Sequence, residues 1–316
     1  MNTLVTMAAV MNLSACAGVQ TGKLLGMDSG VFEGLIEIDI DTGNAIELHP
    51  FDVDPGGGGL AVAPDGTLFA SFSADIDTLV IVDPETGNVT PVGALGFDNV
   101  SGLAFGPDGT LYGVDSSSDQ LITIDPLTGE GTAVGITGVL SNQGLTFTPN
   151  GTLYLVGDSG GGPRLYTVDT DTGEATEVGL LGPNFWYSLS LATIGDVLYA
   201  HAYCPDVPPW NFLVTLDRET GEATPIGGYC SGGKDCPLPT GMGFLPGPGD
   251  VDRDGDVDLD DFAIFQFCFT GPLETDDPLP VECRFLDSDK DHDLDLEDFA
   301  DFQAAFTGPN DDGEPE

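Results

Sequence analysis

The chain has 316 residues, 45 of them Gly and 23 Pro, and its apolar runs are short. Such a composition fits a turn-rich β protein of one large or two modest domains and excludes a helical bundle. The formal charge is −46 with only seven Lys plus Arg, which excludes nucleic acid and anionic membranes as partners, because no basic patch can neutralise phosphates, and favours divalent cations.

Residues 1–20 are mildly apolar, with no Lys or Arg before Lys23. They lack the basic n-region of a secretory signal. The stretch "LSAC", residues 13–16, resembles a bacterial lipobox, a resemblance that implies lipidation of Cys16. We read the segment as a clipped or misassigned signal, which places the protein outside the cell or at its surface. No run of about 18 apolar residues occurs, so no transmembrane segment is expected. None of the six cysteines (Cys16, Cys204, Cys230, Cys236, Cys268 and Cys283) forms a CxxC pair. That spacing argues against zinc and, in an exported protein, for disulfides.

From residue 21 a repeat takes over. "GLAVAPDGTLFASF" begins at Gly59, "GLAFGPDGTLYGVD" at Gly102, "GLTFTPNGTLYLVG" at Gly144, and a weaker copy, "LSLATIGDVLYAHA", at Leu189. Each is followed by a second signature of the form "VDPETGNVTPVG", and the signature glycines Gly43, Gly87, Gly129, Gly173 and Gly221 recur every 42 to 48 residues. Each unit holds four short apolar or alternating runs. Pro-Asp-Gly or Pro-Asn-Gly separates the first two, and Asp-x-x-Thr-Gly separates the last two, both tight-turn signals. Four antiparallel strands per such unit describe a β-propeller blade. The first unit lacks its "GLAF" strand, and "GMGFLP" from Gly241 to Pro246 matches the missing piece. The expected fold is therefore mainly β, a five-bladed β-propeller over residues 21–246, closed by a strand at 241–245. These repeats resemble the broad class of NHL-like and quinoprotein-like propellers, which host many activities.

Asp39, Asp83, Asp125, Asp169 and Asp217 recur in every blade, so their role is read as structural. The inner strands "GLAVA", "GLAFG", "GLTFT", "LSLAT" and "GMGFL" carry no charged residue or His. A propeller glycoside hydrolase would need paired carboxylates there. His49 follows no motif. The repeat is broken in blade five, by "HAYCPDVPPWNF" from His201 and "GGYCSGGKDCPLP" from Gly227. Cys204 is within reach of Cys230 or Cys236 if both loops emerge on one rim. His201, Tyr203, Trp210 and Tyr229 then gather as an aromatic patch for a sugar or peptide, or as part of a disulfide-stapled cap over the ring closure; the sequence favours the cap.

The C-terminal region repeats itself. "DVDRDGDVDLDDFAIFQFCFTGP" from Asp250 and "DSDKDHDLDLEDFADFQAAFTGP" from Asp287 are 37 residues apart and identical at 15 of 23 positions. An EF-hand-type calcium loop takes its ligands from positions 1, 3, 5, 7, 9 and 12. The first copy offers Asp250, Asp252, Asp254, Asp256, Asp258 and Asp261, with Gly255 at the sharp turn; the second offers Asp287, Asp289, Asp291, Asp293, Asp295 and Asp298, with His292 at that turn. All-oxygen donors select calcium over zinc. Each loop runs into a helix with an apolar stripe, Leu259, Phe262, Phe265 and Phe269 in one and Leu296, Phe299, Phe302 and Phe306 in the other. No entering helix precedes the first loop, since "FLPGPG" cannot be one.

Loop then helix, twice, with Asp at position 12, resembles the type I dockerin domain over residues 248–309, ahead of an acidic tail at 310–316. The resemblance implies two Ca2+ ions and a cohesin-like or other protein partner. Leu259, Asp260, Leu296 and Glu297 depart from the hydroxyl residues the family uses for recognition, and no Lys or Arg follows in either helix. Cys268 and Cys283, between the copies, are expected to form a disulfide across the linker. The sequence thus points to an exported calcium-binding protein, more a binding module than an enzyme. It has a propeller for a ligand or protein and a calcium-dependent tether. A polysaccharide hydrolase or lyase carried by a dockerin is the alternative.

Overall fold

A computed structural model describes residues 22–30, 32–73, 77–188, 190–206, 210–230, 236–271, 279–288 and 293–306. Cys16 and residues 310–316 lie outside them. The chain divides into two compact units, one built on Leu24–Ala63 and Thr67–Leu245, the other built mainly on the chain from Pro246 onward, with Pro64–Gly66 grouped with it.

The first unit is a five-bladed β-propeller. Blade one contains β1 (Lys23–Asp28), β2 (Gly34–Ile38) and β3 (Ala45–Pro50); blade two contains β4 (Leu60–Val62), β5 (Leu68–Phe72), β6 (Thr78–Val82) and β7 (Val89–Ala94). Blade three contains β8 (Val100–Phe105), β9 (Leu111–Asp115), β10 (Gln120–Ile124) and β11 (Gly131–Ile136); blade four contains β12 (Asn142–Phe147), β13 (Leu153–Gly157), β14 (Arg164–Val168) and β15 (Ala175–Leu180). Blade five contains β16 (Leu191–Ile194), β17 (Val197–Tyr203), β18 (Asn211–Leu216) and β19 (Ala223–Gly228), and β20 (Pro239–Leu245) returns to pair with β1. A strand from the far end of the chain thus completes blade one, so the ring closes without an unpaired inner edge.

The apolar clusters lie between blades. Leu24 and Ile36 of blade one pack with Tyr199 and Leu213 of blade five, and Leu79 of blade two packs with Leu103 and Ile122 of blade three. Second strands such as β5 are buried on both faces for this reason. The outer strands share one pattern of half-buried and exposed residues in four blades, and β19 differs from it at its last residue alone. Each pairs with its neighbour across a register shift. The residue passed over is Leu48, Val92, Val134, Val178 or Ile226, and it packs against the inter-blade core. The bulge therefore adds core contact and twists the exposed edge away from flat pairing with another chain.

The repeated aspartates build the outer turns. Asp39 Oδ1 accepts from the backbone N–H of Asp41 and Thr42 and from the Thr42 hydroxyl, and Asp169 does the same with Asp171 and Thr172. The Thr hydroxyl bonds hold Asp39 and Asp83 below the usual carboxylate range, and backbone N–H bonds do so for Asp169 and Asp217. Gly173, at φ 79°, finishes its turn against Gly135 of the preceding blade, where a Cβ would meet the carbonyl carbon at 2.7 Å. Only glycine meets both demands there.

The second unit holds α1 (Leu259–Cys268), a 3-10 helix (Val281–Leu286) and α2 (Leu296–Ala305). The two phenylalanine stripes pack on each other, with ring centroids 5.1 Å apart for Phe265 and Phe302 and 5.6 Å for Phe265 and Phe299. Leu286, Leu294 and Val257 complete this core. Cys268 is bonded to Cys283, joining the end of α1 to the 3-10 helix. Leu259 and Leu296 do not join the stripe: they are 51% and 56% exposed. Each is the first residue of its helix, directly after the N-cap.

Candidate functional site

Both acidic loops end in the same capping device. Asp258 caps α1 by accepting from Asp260 N–H, and Asp295 caps α2 by accepting from Glu297 N–H. The aspartate at position 12 reaches back. Asp261 Oδ1 accepts from the N–H of Val251 at 2.6 Å and of Asp252 at 3.2 Å, while Oδ2 accepts from Asp258 N–H at 2.9 Å. Asp298 repeats this with the N–H groups of Ser288 at 2.8 Å and Asp295 at 2.9 Å. One carboxylate thus ties the start of each loop to its end. Gly255 turns the first loop at φ 97°.

The closure gathers the remaining carboxylates. Oxygens of Asp250, Asp252 and Asp254 lie within 4.8 Å of one another, as do those of Asp256, Asp258 and Asp261, and those of Asp293, Asp295 and Asp298. Asp287 is half-buried; Asp289, Asp291 and His292 fall outside the described residues. Asp250 is fully buried, and neither of its carboxylate oxygens has a hydrogen-bond partner. Burial, then the charge of Asp261, pushes Asp250 up to about 8, and the same two causes push Asp252 up to about 7. The Gly255 N–H and the nearby Arg253 favour the Asp250 anion, but they do not offset burial and the surrounding carboxylates, so a cation in the cluster would stabilise it. The residues present therefore fit a hard divalent ion held by oxygen.

The propeller concentrates its buried polar groups at one end of the inner strands. Ser71 Oγ donates to Val100 O at 2.7 Å, Ser101 Oγ to Asn142 O at 2.7 Å, Ser190 Oγ to Pro239 O at 2.9 Å and Thr240 Oγ1 to Met27 O at 3.3 Å. Most of these hydroxyls join one blade to the next. Below them Gly59, Gly102, Gly144 and Gly241 face the backbone of the neighbouring inner strand, where a Cβ would not fit. The axis is thus lined by backbone and clasped by hydroxyls, with no charged side chain or His on β4, β8, β12, β16 or β20.

The aromatic corner of blade five differs from the sequence expectation. The second strand does not end at the loop but continues to Tyr203, so His201 sits inside the sheet opposite Leu213. His201 is fully buried, its Nε2 pairs with Asn211 Oδ1 at 3.1 Å, and burial holds it down to about 4. Tyr229 is 1% exposed and stacks on His201 at 5.8 Å. Neither residue is therefore available at a rim. Tyr203 and Trp210 are half-buried. Cys230 pairs with Cys236, leaving Cys204 buried and unpaired among the described residues, with its N–H bonded to Trp210 O at 2.7 Å. The sequence reading missed Trp186 and Tyr187, which are 62% and 37% exposed. Their signal was available: nine positions separate Leu181 from Ser190, against seven from Leu95 to Gly102 and from Thr137 to Gly144.

The fold and these sites define a five-bladed β-propeller joined to a small helical unit with acidic loops. No protein-family model matches the chain, and no curated protein is similar to it. Among solved structures it is similar to a chain of the nidogen/laminin complex, with a TM-score of 0.50 and 14% identity over 71% of this chain and 98% of that one. It is also similar to the PQQ-bound aldose sugar dehydrogenase of Streptomyces coelicolor, with a TM-score of 0.47 and 17% identity over 75% and 89%. The first likeness shows the fold. Among the described residues no helix is long and apolar enough to cross a membrane.

Proposed function

We propose that the C-terminal unit binds two calcium ions, one per loop, and acts as a calcium-dependent tether for a propeller that presents a binding face outside the cell. The observation that carries this reading is Asp250, fully buried with both oxygens unpartnered at position 1 of a loop of the EF-hand type. All the donors are oxygen, which suits calcium. The two disulfides support export. The tether's partner is a protein, cohesin-like or other, and the exposed Leu259 and Leu296, which depart from the family's recognition residues, stand at equivalent places in the two halves. A hydrolase would need paired carboxylates, and the described inner strands supply none.

Calorimetric titration of the full chain with calcium tests the reading. We expect two ions per chain, one in Asp250→Asn and none when Asp298→Asn is added. Absence of uptake by the unmodified chain, or two ions in the double variant, rejects it.

A further inference from the structure

Blade five carries an exposed aromatic surface that the ring does not need. Trp186 and Tyr187 lie in the segment before the inner strand, two residues longer than its counterparts in blades three and four. That segment is held in place: Trp186 N–H donates to Tyr203 O at 3.0 Å, and Tyr203 N–H donates to Tyr187 O at 3.0 Å. To receive it, β17 runs for seven residues where β5, β9 and β13 run for five. The rings of Tyr187 and Tyr203 stack in parallel, 4.6 Å apart and 6° from coplanar. Both tryptophans of the chain fall in this corner, and Trp210 sits at φ 75°, a backbone region costly for a bulky side chain. Strain of that kind persists where surrounding structure enforces it, and it clusters at ligand sites.

We propose that Trp186, Tyr187 and Tyr203 form a stacking platform for a neutral glycan. The proposal rests on reading the propeller as a binding module and names its ligand class. Exposed aromatic faces on a fixed backbone offer apolar contact with a phenol rim, which matches the C–H face and hydroxyl edge of a pyranose. In a chain with 53 Asp plus Glu, residues 182–188, 201–204 and 210–213 contain no Asp, Glu, Lys or Arg. His201, beside Tyr187 at 6.1 Å, is held neutral by burial. The charge flanking these stretches is the exposed carboxylate of Asp206, and the overall charge of −46 repels an acidic polymer.

Because both tryptophans lie here, intrinsic fluorescence of the full chain reports on this corner alone. Cellohexaose, xylohexaose and mannohexaose are titrated at millimolar concentration, beside oligogalacturonate and a proline-rich peptide, in calcium and in chelator. We expect at least one neutral hexaose to shift the emission equally in both conditions. Affinity measured by calorimetry should fall about tenfold in Tyr187→Ala and in Trp186→Ala, with the propeller's melting temperature unchanged. Silence with all three neutral sugars, a response only to oligogalacturonate or the peptide, or undiminished affinity in both variants overturns the proposal. A sugar response that persists in chelator stands whether or not the loops bind calcium.

Discussion

Replacing Asp28 by Ala should loosen the ring at the point where its two ends meet. Asp28 is fully buried at the end of β1. Its carboxylate accepts from the N–H of Gly30 at 3.1 Å, of Phe32 at 2.7 Å and of Leu238 at 2.7 Å. Leu238 directly precedes β20, so this one side chain holds the closing strand to the first blade. A hydrogen bond to a charged group contributes about 1.5–3 kcal/mol. Three such bonds set an upper figure of about 9 kcal/mol. Gly30 is exposed, and Phe32 and Leu238 are half-buried, so water replaces part of the loss. We expect Asp28→Ala to cost about 3–5 kcal/mol and lower the propeller's melting temperature by about 10 °C. Asp28→Asn keeps one acceptor oxygen and should cost roughly half as much. The assay is urea and thermal unfolding of the full chain followed on the propeller transition. Asp28→Ala within about 1 kcal/mol of the parent would refute the closing role.

Three further outcomes follow from the packing and the titrating groups. Gly179→Ala presses a Cβ into the Thr220 carbonyl of the next blade and should cost about 2–4 kcal/mol, whereas Gly243→Ala, whose nearest contact is 3.4 Å, should be near neutral in the same unfolding assay. His201 has its folded value lowered by burial to about 4, below the unfolded 6.5. The unfolded chain therefore binds the extra proton, and this contribution, present above pH 6.5, is lost as pH falls towards 4, amounting to about 3 kcal/mol. The difference in unfolding free energy between the parent and His201→Phe, measured from pH 7 to pH 4, should show that slope, and a flat difference would contradict it. Replacing both Cys268 and Cys283 by Ser, which opens a 15-residue separation, should remove about 3 kcal/mol from the C-terminal unit while the propeller transition stays put.

The architecture was legible because its determinants are periodic. Pro-Asp-Gly, Asp-x-x-Thr-Gly and the inner-strand glycines are local demands of turns and close backbone approach, so they recur at every blade and declare the repeat. The blade-joining hydroxyls were not legible. Ser71, Ser101 and Ser190 are single uncharged residues whose meaning comes from a carbonyl in the next blade. His201 was misplaced for a related reason. Sequence marks "HAYC" as the start of a long loop, but pairing with the 183–188 segment extends β17 through it and buries the imidazole. Trp186 and Tyr187 belong to no repeated motif, and the lengthened segment that carries them shows only when blades three, four and five are aligned before the inner strand. In the acidic loops, the donor spacing was readable, but the orphaned burial of Asp250 was not.

Whether calcium holds the C-terminal unit together is decided by differential scanning calorimetry of the full chain in calcium and in chelator. Dense carboxylates around a small phenylalanine core repel one another without the ion. The account predicts two transitions in calcium and, in chelator, loss of the C-terminal one with the propeller transition unmoved. Two transitions unchanged by chelation would contradict it.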